Sequence, residues 1–154
     1  MPNAKRFISV AIAVPAVLLV ASTVFATPLE EKERFSEMQK QLDEKAERAS
    51  TACGTKITAT YDTASFAGVD VFRAPVQSYC QGAVYALEMV CRTDDGKKAV
   101  QAQIASVTCE LGKSGTKVSV GNKRYTVDID PTSTSIAGKK PGSYTWTSAL
   151  KEQL

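Results

Sequence analysis

The chain has no histidine anywhere in its 154 residues. That absence removes Ser-His-Asp and Cys-His arrangements, histidine general bases and HExxH zinc sites together. No CxxC pair occurs either, so the usual zinc-ligand spacings fail. There is no GxGxxG, no phosphate-binding loop and no internal repeat. Charge of one sign is also lacking: 19 basic residues against 16 acidic ones give a net +3. Nothing in that balance drives the chain onto nucleic acid, and its 44% hydrophobic content is not that of a disordered chain. No cofactor is expected.

What is present begins with an export signal. Lys5 and Arg6 form a positive start, Phe7 to Val20 is apolar apart from Ser9 and Pro15, and Ala21–Ala26 turns small. Met1–Ala26 therefore reads as a signal peptide cleaved before Thr27, with Val24 and Ala26 at the positions a signal peptidase inspects. An uncleaved anchor is the competing reading, because residues 7–25 approach the roughly 20 apolar residues that span a bilayer. Pro15 and the small exit favour cleavage, which leaves no stable membrane span. Residues 27–154 then form one domain, secreted or periplasmic, with an amphipathic helix over 27–52 and a globular body over 53–154.

Four cysteines fall in that domain: Cys53, Cys80, Cys91 and Cys109. In a small exported chain an even number reads as a disulfide framework, with three possible connectivities. The apolar spacing of Val76–Arg92 predicts a helix, and Cys80 and Cys91 lie 11 residues apart on it. At ~1.5 Å per residue they stand about 16 Å apart, beyond the ~7 Å limit for a bridge. A following helix, Lys97–Ala105, runs back and carries Cys109 toward Cys80. The expected bridges are Cys80–Cys109 and Cys53–Cys91.

Periodicity supplies the remaining elements. Phe35, Met38, Leu42, Ala46 and Ala49 mark one stripe of a charged helix over Leu29–Ser50. Lys56–Tyr61 alternates as a half-buried strand, and Ser106–Leu111 carries Val107, Cys109 and Leu111 on one side. Asp62–Pro75 reads mostly as loop, with Val69–Phe72 as a short extended piece, and Asp94-Asp95-Gly96 as a turn. Thr116–Val120 and Lys123–Ile129 flank Gly121-Asn122 as a hairpin. Pro131–Gly142 reads as an exposed loop, and Ser143 caps a final helix running to Leu154. The expected fold is α+β: an antiparallel β-meander covered on one face by helices and held by two disulfides, with the Lys56–Tyr61 strand at its edge or beside Ser106–Leu111.

Functional signals are few. Residues 27–96 hold 8 basic and 12 acidic side chains (−4), whereas residues 97–154 hold 9 and 4 (+5). Lys123, Arg124, Lys139 and Lys140, with Tyr125 and Trp146 nearby in sequence, form a candidate surface for an acidic polymer or protein. The plainer reading makes the lysines edge protection and the aromatics core. Asp128 and Asp130 share one side of a strand and are weak candidates for a hard metal ion. Ser114-Gly115-Thr116-Lys117 and Ser148-Ala149-Leu150-Lys151 both fit the serine–lysine pattern, without its partner motifs. The expectation is a non-enzymatic binding or envelope-associated module. The alternatives are a small carboxylate- or metal-dependent enzyme, or a secreted inhibitor acting through Pro131–Gly142.

Overall fold

The apolar stripe of the first helix sets the architecture. In the computed structural model, which describes residues 28–71, 74–133, 135, 136, 138 and 144–154, that helix is α1 (Pro28–Cys53). The proposed signal, Met1–Ala26, lies outside the described residues. Phe35, Met38, Leu42, Ala46, Ala49 and Cys53 all turn inward from α1, while its other faces carry charge. A short strand β1 (Thr58–Tyr61) follows. The chain then turns through Phe66 and Val71, both buried, and the described part of Val69–Phe72 forms no strand.

Helix α2 (Val76–Val90) is the central helix, burying Val76, Cys80, Ala83, Val84, Ala86, Leu87 and Val90. It carries Gly82, a residue that costs about 1 kcal/mol in a helix relative to Ala. The reason is steric: a Cβ there would sit 2.6 Å from Trp146 Nε1. Helix α3 (Asp94–Gln103) starts earlier than its apolar spacing indicates. Asp94-Asp95-Gly96 is its acidic first turn, capped by Thr93, whose Oγ1 accepts from the Gly96 N–H at 3.2 Å.

Three strands follow: β2 (Ser106–Leu111), β3 (Lys117–Gly121) and β4 (Arg124–Ile129), then a last helix α4 (Thr145–Lys151). The sheet order is β1-β2-β4-β3, with β1, β2 and β4 parallel and only β3 antiparallel. The fold is thus α+β, but the sheet is mixed and not an antiparallel meander. A crossover through α2 and α3 separates β1 from β2, and such a connection returns the chain in the same direction. The loop after β2 then carries β3 to the far edge, leaving the slot between them for β4.

The hairpin loop is Asn122-Lys123, one residue later than Gly121-Asn122. Both residues have positive φ, 52° and 58°, as a type I′ turn requires. The earlier loop would have set Lys123 opposite Val120 on the apolar side; the observed register instead pairs Val120 with Tyr125 and leaves Lys123 exposed in the turn. Within the described part of Pro131–Gly142, Ile136 is not exposed as the loop reading expects: it is buried and bridges to Thr116.

Two disulfides join the layers, Cys53–Cys91 and Cys80–Cys109, with Cα separations of 5.0 and 6.0 Å. The first ties the end of α1 to the end of α2, and the second ties α2 to β2. Among the described residues no helix is long and apolar enough to cross a membrane.

Candidate functional site

Alternation along each strand divides the sheet into two unlike faces. Ala59, Tyr61, Val107, Cys109, Tyr125, Val127 and Ile129 are buried together with the stripes of α1 and α2. The opposite face is polar, and register aligns it into rows. Thr58, Ser106 and Arg124 stand side by side with Gly121 beyond them; Thr60, Thr108, Thr126 and Ser119 form the next row. Glu110, Asp128 and Lys117 make the third, which Asp62 extends because its N–H donates to the Cys109 carbonyl at 2.9 Å. Every side chain in these rows is exposed or half-buried.

The face is charged unequally along the strands. Its third row gathers three carboxylates, with Glu110 and Asp128 paired in register on the neighbouring strands β2 and β4. Partial burial first, then the neighbouring carboxyls of Asp128 and Asp62, raise the Glu110 carboxyl above its ordinary value, against a smaller opposing pull from Arg124. The other end is basic: Arg124 and Lys123 are exposed at the hairpin turn, and Lys56 is exposed just before β1. Between the two ends lies the row of four hydroxyls.

Of the surface set read from sequence, Lys123 and Arg124 are indeed at the surface. Tyr125 is not: its side chain is fully buried and its hydroxyl has no hydrogen-bond partner, and burial raises that phenol above its ordinary range. Trp146 is also a core residue, packed edge-on against Tyr79 with ring centres 5.8 Å apart. Both aromatics are withdrawn from a surface site. Lys139 and Lys140 lie outside the described residues. Asp128 stands beside Glu110 and Lys117 in the sheet, whereas Asp130 is engaged by the loops at the end of β4. Asp130 accepts from Thr132 Oγ1 at 2.6 Å, Gly115 N at 2.8 Å and Thr132 N at 2.9 Å, which lowers its carboxyl below the ordinary aspartate value. Those bonds tie the loop after β2 to the end of β4.

The serine–lysine match at Ser114 is a local loop contact: Lys117 Nζ donates to Ser114 Oγ at 3.0 Å, both exposed. The Gly115 N–H beside it is already given to Asp130. Ser148 and Lys151 are exposed on α4.

Two features have no signal in the local sequence. The hydroxyl row was hidden because each threonine looks like an ordinary outward position until a non-local register aligns it. The second is the treatment of the β1 edge. Gln39 of α1 donates to the Ala59 carbonyl at 2.7 Å and accepts from the Tyr61 N–H at 3.2 Å. Ser50 Oγ accepts the Ile57 N–H at 2.9 Å, while its single proton is shared between the Ala46 carbonyl of its own helix at 2.7 Å and the Ile57 carbonyl at 3.1 Å. Two α1 side chains therefore stand in for a neighbouring strand. Beside them runs an open groove of about 770 Å³, lined by Asp43, Ala46, Glu47, Ile57 and Ala59 among others. Compared with known proteins, the chain matches no family model, no curated protein and no solved structure.

Proposed function

We propose that this is a non-enzymatic binding module, exported to a periplasm or the cell exterior, whose basic hairpin end takes an acidic polymer or protein. One observation carries the reading: Lys123, in the two-residue turn, and Arg124, the first residue of β4, are both exposed at the rim of an open polar sheet. A turn closed by the Gly121–Arg124 pair presents its charges at little entropic cost. The neighbouring hydroxyls of Thr58 and Ser106 supply donors and acceptors for an oxygen-rich ligand. Export is supported by the N-terminal segment and by two intramolecular disulfides, which persist in an oxidising compartment. A carboxylate-dependent enzyme would have to start from the Glu110–Asp128 pair, which stands on an open face and not in a cleft.

Dextran sulfate, with neutral dextran as control, tests the reading. The protein should bind the sulfated polymer at ~10 mM salt and release it progressively toward ~150 mM, where exposed charges are screened over about 8 Å. Each basic side chain near an anionic surface contributes about 1 kcal/mol, so Lys123→Glu with Arg124→Glu should weaken binding by roughly 30-fold or more. Binding that ignores both salt and the double reversal contradicts it.

A further inference from the structure

We propose that the open face of the sheet is also a self-association surface, and that it packs face to face on a second copy of this chain about a two-fold axis. The axis runs along the row of Thr60, Thr108, Thr126 and Ser119. Rotation about it keeps each strand over its own copy but reverses strand direction. Arg124 of one copy then faces the Asp128 and Glu110 end of the other, and the contact repeats by symmetry. The hydroxyl row meets its own image, where each Thr or Ser can donate to and accept from its counterpart.

Charge complementarity selects this occupant. The face is basic at the Arg124 row and acidic at the Asp62, Glu110 and Asp128 row, with Lys117 at the β3 end of the acidic row. Such a pattern repels a copy stacked with strands parallel and attracts one stacked antiparallel. Glu110 and Asp128 are crowded like charges within one copy, and an incoming guanidinium offers them a shared partner. Among the described residues, none of the exposed large apolar side chains, Leu29, Tyr85 and Tyr144, belongs to these strands, so polar pairing has to define the contact.

Area limits the strength. Four strands ~4.8 Å apart and about five residues long give a footprint on the order of 300 Å² per copy. That lies at or below the small end of specific interfaces, which implies a weak, salt-sensitive dimer in fast exchange. The inference goes beyond the binding of an acidic partner and does not require one.

Sedimentation equilibrium of the full disulfide-bonded chain, with no polyanion present, tests it. At ~1 mM protein, the concentration scale of a weak complex, and low salt the weight-average mass should rise toward the dimer and fall back as salt increases. Arg124→Glu alone, and Glu110→Lys with Asp128→Lys, should each weaken association at least ~10-fold by setting like charges opposite each other. Mixing the two variants one to one should restore it to near wild type, because each now complements the other at both ends of the face. Unchanged near-ultraviolet circular dichroism confirms that the variants are folded. A wild-type chain that stays monomeric at ~1 mM and low salt overturns the proposal. So does a mixture that associates no better than its separate components, whatever the polymer-binding result.

Discussion

Two carboxylates near the end of β4 respond to pH with opposite signs, and this follows from their partners. Glu110 is raised by partial burial and by the neighbouring carboxyls of Asp128 and Asp62, so its ionised form is disfavoured in the folded state. Glu110→Gln should therefore raise the melting temperature at neutral pH. The advantage should shrink as pH falls from the raised value toward the ordinary glutamate value and be absent below it, where the Glu110 carboxyl is protonated in both the folded and the unfolded state. Asp130 is lowered by bonds that need its charge, from the Thr132 hydroxyl first and then the Gly115 N–H. Its contribution is present above the ordinary aspartate value and is lost as pH falls through the depressed one, so Asp130→Asn should destabilise at neutral pH and matter progressively less in acid. Melting temperature against pH for both variants checks the pair; parallel curves contradict the assignment. At Tyr125 the unpartnered hydroxyl in the core is a liability. Tyr125→Phe should be neutral or stabilise by up to about 1 kcal/mol, since an unbonded buried hydroxyl costs about 1–3 kcal/mol against its loss of little packing. A loss beyond ~1 kcal/mol in urea unfolding would mean that the hydroxyl is bonded after all.

Among the elements, β1 shows how a helix and a strand edge depend on each other. The outward groups of Ile57, Ala59 and Tyr61 lie where a foreign strand could pair, and Gln39 and Ser50 occupy them. Gln39→Ala should cost about 1–2 kcal/mol, the usual range for stranding part-buried backbone groups, and should speed aggregation on warming. Light scattering and urea unfolding measure both; an unchanged aggregation rate would show the edge protected by other means. The elements themselves were largely legible. The stripe from Phe35 to Ala49 located α1, and alternation over Ser106–Leu111 located β2 with its observed ends. Strand direction was not, because a period of two is the same in parallel and antiparallel pairing. The start of α3 was obscured because an Asp-Asp-Gly turn signal and a capped acidic first turn use the same residues.

For the whole molecule, the bridges and the sheet order place the surface. Cys53–Cys91 and Cys80–Cys109 close chain separations of 38 and 29 residues. The chain-entropy model assigns each about 3.5–4 kcal/mol, a large share of the stability of a domain this size. They hold α1 to α2 and α2 to the sheet, on the apolar side of β2, so the polar side is left to face solvent. That face could not be read locally. Thr60, Thr108 and Thr126 are each an outward residue on a separate strand, and only the parallel register brings them beside Arg124 and Glu110. The basic hairpin residues were legible as charge, whereas the burial of Tyr125 followed from its place on the inward side of β4. The most direct test is an amide chemical-shift map of the folded, disulfide-bonded protein titrated at low salt with a short sulfated oligosaccharide. Saturable shifts are expected at Lys123, Arg124, Ser106 and Thr58, fading along Thr126 and Thr108, with the α1 groove around Asp43 and Glu47 unmoved. Shifts centred on that groove, or none at the hairpin end, would contradict it.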